Sequence, residues 1–140
     1  MLRGWYVDSL RSPRMHIVNA DAFAWLEQNA DRFDVFVVDS PDPTNVSIGT
    51  LCTQSFYRLI EPHLNASGCA VVQTTAPRIA RQGLRTVATT IEVAGLATAP
   101  YHVHVHVHAH AHAHAPGFGE WGFILACRRG SICRSTWRAC

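Results

Sequence analysis

The sequence predicts an α/β chain carrying half of an open, mostly parallel sheet that is closed by an antiparallel hairpin. Three observations predict it. Short apolar runs alternate with segments of helical period, the pattern that builds parallel sheets with right-handed crossovers. One run, DVFVVD at 34–39, is apolar throughout between its two acids, as in a strand buried on both faces of a parallel sheet. The last two apolar runs have no helical segment between them, so they form an antiparallel pair at one edge.

The elements follow in order. Residues 1–14 have no clean period and read as an irregular lead-in, and 15–18 read as a short apolar strand. Asp21 is placed to cap a helix reaching about Asn29, with Phe23 and Leu26 on one face. The strand at 34–39 ends at Ser40-Pro41-Asp42-Pro43, because two prolines exclude regular structure. A helix is expected over 53–64, with Phe56, Leu59, Ile60 and Leu64 on one stripe and a stop near Gly68. Residues 69–75 form the next strand. Pro77 opens a helix in which Leu84, Val87, Ala88 and Ile91 share a face, and Gly95 ends it. One closing strand enters the histidine tract near Tyr101, and the other spans 121–127.

The order β-α-β-α-β-α-β-β is the second half of a Rossmann-like, class I methyltransferase-type sheet. Such folds bind nucleotides at a glycine-rich turn after their first strand. No Gly-x-Gly precedes Asp21, and the 20 residues ahead of it leave no room for two βα units. The strand at 34–39 is therefore expected at an exposed edge that its pattern was made to bury, a liability for solubility unless a partner covers it. The domain division expected is a lead-in at 1–14, a partial domain at 15–127 with a His-rich insertion at 102–114, and a basic tail at 128–140 expected to be disordered.

Composition removes several classes. At 140 residues, with 48% hydrophobic and 16% charged, the chain is one globular domain. Its charge of +2 implies no nucleic acid, and the four arginines of the tail are too small a patch for one. The five cysteines (Cys52, Cys69, Cys127, Cys133, Cys140) lack CxxC spacing. That argues against a disulfide scaffold or structural zinc and fits a reducing cytoplasm. No apolar stretch is long enough to span a membrane, and no signal peptide is visible at the N-terminus.

The most informative segment is FDVFVVDSPDPTN. Ligands of open α/β sheets sit beyond the carboxyl ends of the strands, where Asp39 lies, with Asp42 three residues on. Transfer of an alkyl group from a sulfonium to a diamine needs an uncharged amine, and diamines are mostly protonated near neutral pH. A carboxylate must bind the ammonium and take its proton. Two acids on a proline-stiffened loop can divide that work, Asp39 accepting and Asp42 orienting. The competing reading is that Asp39 ends a strand and Asp42 makes a turn.

NADAFAWL, FDVFVVDSPDPTN, SFYRLIEPHL, VVQTTAP and GFGEWGF together resemble the spermidine synthase (polyamine aminopropyltransferase) family over about residues 12–127. The resemblance is strongest to the bacterial branch whose enzyme domain follows a membrane-embedded region. It implies aminopropyl transfer from decarboxylated S-adenosylmethionine, a co-substrate and not a resident cofactor, to putrescine or another small polyamine. It implies Asp39 as proton acceptor, Ser40, Pro41 and Asp42 as the amine loop, and Gln73 as a polar group near the amine. Asp21 and Ala22 match the pair that contacts adenine, with Ala where the family has Gly. Val46 stands where the family has a proline against the thioadenosine. The family's glycine loop and ribose acid have no counterpart here, so the isolated chain is expected to be inactive. Either a homodimer or a missing N-terminal half would then complete it.

His102, His104, His106, His108, His110, His112 and His114 alternate with Val and Ala. In an extended strand they share one face about 7 Å apart, too far for neighbours to hold one ion without bending. Expansion of a short repeat explains the tract, with weak metal binding as a by-product. His16 and His63 are isolated and read as surface residues. Two alternatives to the transferase remain: a His-rich metal-binding module, and a small-molecule methyltransferase, which needs no paired diamine-binding acids.

Overall fold

Asp21 starts a helix as its position predicts. Its Oδ1 accepts the Ala24 N–H at 3.0 Å, satisfying one of the donors a helix start leaves unpaired. The computed structural model describes residues 11–40, 49–75, 80–104 and 120–130. Within them, α1 (Ala22–Gln28) buries Leu26 and lays Phe23 against the core. Strand β1 (Phe33–Val38) follows. Helix α2 (Gln54–Ile60) is capped by the Thr53 hydroxyl, which accepts the Phe56 N–H, and it buries Phe56, Tyr57 and Ile60. Burial, with Cys52 beside it, pushes the Tyr57 phenol well above its ordinary range.

The helix expected over 53–64 is shorter. Pro62 has no N–H to continue it, so Glu61–His63 tightens into a 3₁₀ turn and Leu64 opens β2 (Leu64–Thr74) instead of closing a helical stripe. Helix α3 (Arg81–Ala94) carries the expected stripe, with Ile91 fully buried, and ends at Gly95, whose φ of 116° is left-handed. Pro77 lies outside the described residues. Strands β3 (Leu96–His104) and β4 (Glu120–Arg128) close the chain, β3 starting five residues before Tyr101.

The sheet order is β1-β2-β4-β3. β1 runs parallel to β2, while β4 is antiparallel to both β2 and β3, so the final pair is the hairpin the sequence predicts. Val38, Ala70, Val72, Ile124 and Ala126 point to one face and join the buried residues of α1, α2 and α3 in a single core. The other face carries no helix among the described residues. Val35 and Val37 on it are each 65% exposed, and β1 is an edge strand of the sheet formed by the described residues.

Three expectations are corrected. Residues 15–18 make no strand: no ladder among the described residues receives them, and Met15, Ile17 and Val18 are exposed. Cys69 and Cys127, opposite one another on β2 and β4 with Cα atoms 4.5 Å apart, are joined as a disulfide. His63 is buried, not on the surface: its Nδ1 lies 2.8 Å from the Asp31 carbonyl oxygen and its Nε2 2.9 Å from that of Leu26, and its ring stacks on Trp25. A neutral imidazole donates to one of these oxygens and an imidazolium to both.

His63 thus ties α1 and the start of β1 to the turn before β2. His63→Ala removes the donor from buried carbonyls and leaves a cavity, so it is expected to cost about 3 kcal/mol. Urea unfolding monitored by tryptophan fluorescence checks this; a loss near zero would show that the ring merely fills space.

Gly68 sits where the β1–β2 register jumps from Phe33↔Leu64 to Val35↔Cys69. A Cβ there would come within 2.6 Å of the Phe33 carbonyl oxygen and 2.9 Å of the Asn65 nitrogen, both backbone atoms that cannot swing aside. Across the same irregularity Asn65 Nδ2 donates to Asp34 Oδ1 at 2.7 Å. Gly68→Ala should destabilise the chain by about 1–3 kcal/mol. An unchanged thermal midpoint would show that the irregularity relaxes freely.

Candidate active site at the strand ends

The candidate site grows from the parallel pair. The β1–β2 register runs through Val37↔Val71 to Val38↔Val72, so Asp39 and Gln73 are the next residue of each strand, at the carboxyl end of the sheet. Val38 and Val72 face the helices and are buried; Asp39 and Gln73 therefore belong to the opposite parity. Asp39 is exposed and Gln73 half-buried. A carboxylate and a carboxamide at adjacent strand ends are the groups that can hold a cation and orient it, since the first contributes charge and the second a directional acceptor. Ser40, half-buried, follows directly. Pro41 and Asp42 lie outside the described residues.

The same row continues across the sheet. Gln73 pairs with Phe123, and Phe123 with Tyr101. The two rings stack with centroids 5.4 Å apart and planes 19° from parallel. This aromatic wall beside Gln73 was not picked out from sequence. The GFGEWGF segment that carries Phe123 contained the signal, but only the antiparallel register of β4 brings it to the strand-end row.

Asp21 and Ala22 occupy the start of α1, both exposed. Asp21 has a structural task already, the cap on Ala24. His102 and His104 lie in β3, while His106, His108, His110, His112 and His114 fall outside the described residues. Among the described residues no group of three His, Cys, Asp or Glu side chains is placed to hold a metal ion, and no helix is long and apolar enough to cross a membrane.

Comparison with known proteins agrees with the arrangement. The sequence pattern of the spermine/spermidine synthase domain matches residues 1–112. Polyamine aminopropyltransferase 2 of Ralstonia nicotianae is 47% identical over 114 residues, which is 81% of this chain and 20% of that protein. The chain thus spans about a fifth of the length of such relatives. A spermidine synthase solved with the transition-state analogue AdoDATO superposes with a TM-score of 0.71 at 22% identity, over 89% of this chain and 40% of that one. The M1.HpyAVI–SAM complex superposes with a TM-score of 0.53 at 17% identity, over 81% of this chain and 54% of that one. These two likenesses establish the Rossmann-like, methyltransferase-type fold. The family is established by the domain pattern, which covers most of the chain: this protein belongs to the spermine/spermidine synthase family.

Proposed function

We propose that this chain supplies the amine-binding and proton-accepting part of a polyamine aminopropyltransferase. The observation that supports the reading is the β1–β2 register ending at Val38↔Val72, with Asp39 and Gln73 each following directly at the carboxyl ends of these adjacent parallel strands, where open α/β sheets bind ligands. In the proposed reaction Asp39 takes a proton from a terminal ammonium of putrescine. The freed amine attacks the aminopropyl carbon bonded to sulfur in decarboxylated S-adenosylmethionine. A C–N bond forms, the C–S bond breaks, and its electron pair neutralises the sulfonium to give methylthioadenosine. Asp42 and Ser40 with Pro41 hold the other end of the amine, and Gln73 orients it. Asp21 and Ala22 contact adenine. The nucleotide's phosphate-free sulfonium needs no metal, and the reading assigns none.

The same reading takes 15–127 as the partial transferase domain, 102–114 as an insertion and 128–140 as a tail outside it. It sets the reaction in the cytoplasm, where the Cys69–Cys127 pair would be reduced.

A chimera tests the reading. The stretch of the Ralstonia transferase matched by this chain is replaced by the corresponding residues of this chain, and transfer to putrescine is followed by the methylthioadenosine released. The expected result is transfer at a rate within about tenfold of the parent, given 47% identity over the exchanged stretch. A folded chimera with no transfer would sink the reading.

Asp21→Ser in the chimera separates the two tasks of Asp21. Serine caps as well as aspartate, so stability should hold within about 0.5 kcal/mol, while calorimetric affinity for methylthioadenosine should fall at least about tenfold from loss of a charge-assisted contact. Unchanged affinity would leave Asp21 only its cap.

A further inference from the structure

The cysteine pair between β2 and β4 takes no part in the strand-end chemistry. Cys69↔Cys127 is the first rung of the β2–β4 ladder, and Gly68, immediately before it, lies at the register jump between β1 and β2. A rung at the end of a ladder, beside an irregularity, opens more readily than one within it. The two residues are unequally placed. Cys127 is 0% exposed, whereas Cys69 is half-buried. Their Cα atoms, 4.5 Å apart, have the separation of a directly opposed, non-hydrogen-bonded pair. That lies within the span a disulfide bridges, so the backbone need not move for the bond to open and form again.

We infer that the pair is a reversible thiol-exchange site for a low-molecular-weight thiol, with Cys69 as the sulfur that is attacked. Exchange needs a thiolate to reach one sulfur of the bond, and Cys127 presents no surface to reach. The thiolate forms a new S–S bond to the Cys69 sulfur, and the Cys69–Cys127 bond breaks. Its electron pair leaves on the Cys127 sulfur, which takes up the proton lost by the attacking thiol, because a buried charge is costly. A second thiol then attacks the outer sulfur of the mixed disulfide and releases Cys69 as a thiol. The chain gains two electrons and two protons, and two small thiols become one small disulfide. The reverse sequence closes the bond when the thiol pool is oxidised. The mixed disulfide on Cys69 is short-lived in the native chain, since the Cys127 thiol stays opposite and recloses the bond. The inference stands apart from the transfer chemistry, which the chimera tests without it.

The test uses the full chain carrying Cys52→Ser, Cys133→Ser and Cys140→Ser, which leaves the pair as its only cysteines. Reduced glutathione is added to the folded chain, and opening of the bond is followed by thiol alkylation and mass spectrometry. Expected is a rate proportional to glutathione and unchanged by urea below the unfolding transition, because the native chain is attacked. With Cys127→Ala added, glutathione disulfide should leave one glutathionyl group on Cys69. With Cys69→Ala instead, labelling of Cys127 should be at least about tenfold slower. Circular dichroism checks both variants, and the rate measurement decides alone if either fails to fold. Three outcomes would overturn the inference: a rate that saturates at the unfolding rate or climbs with urea, faster labelling of Cys127 than of Cys69, or a pair that stays a dithiol in excess glutathione disulfide.

Discussion

Asp39→Asn is expected to lower aminopropyl transfer by the chimera about 10²–10⁴-fold, the usual worth of a positioned proton acceptor. The carboxamide is nearly the same size and sits on the same strand end, so the exposed position should keep its backbone and neighbours. What it loses is the ability to accept a proton from an ammonium and to carry negative charge beside a cation. The effect should appear in kcat with a smaller change in the amine KM if Asp39 acts mainly as acceptor. Raising the pH should partly restore the variant, because more of the diamine is then already uncharged. A variant with undiminished turnover would show that Asp39 only terminates β1. Gln73→Ala is the natural companion, and a loss confined to KM would mark it as a positioning residue.

Reduction of the Cys69–Cys127 bond is expected to lower stability by up to about 4 kcal/mol, from the chain entropy returned to an unfolded loop of this length. The pair is 58 residues apart in sequence, so the bond closes a loop spanning α3 and β3. It also joins β2 to β4, the centre of the sheet, while Cys127 is fully buried. Urea unfolding with and without dithiothreitol measures the difference, and thiol titration of the denatured chain should find two more thiols after reduction. Equal thiol counts would mean that the cysteines face one another without bonding. Equal midpoints despite bonding would mean that the unfolded chain is already held compact.

Much of the architecture was legible because it rests on local patterns. Asp21 caps where its spacing from the apolar residues says it should, Gly95 stops α3, and the strand expected at 34–39 forms over Phe33–Val38, ending just before Asp39. The edge position of β1 among the described strands agrees with the expectation for 34–39. Other elements depended on competition that spacing does not show. Leu64 fits the stripe of α2, but Pro62 breaks the helix first and a neighbouring strand captures the residue. Residues 15–18 have the composition of a strand, yet an extended segment becomes one only when a ladder receives its hydrogen bonds.

The sequence by itself determined the acidic strand end and its residue types, the helix boundaries set by caps and glycine, and the family to which they belong. Only the tertiary structure decided that Gln73, Phe123 and Tyr101 share one row across three strands, that Cys69 meets Cys127, and that His63 is buried against two carbonyls. The physical reason is range. Caps, breakers and periodic faces are set by residues within one or two turns of each other. Register, bonding partners and burial are settled by packing between segments tens of residues apart, where each residue's partner depends on every other segment having already found its place.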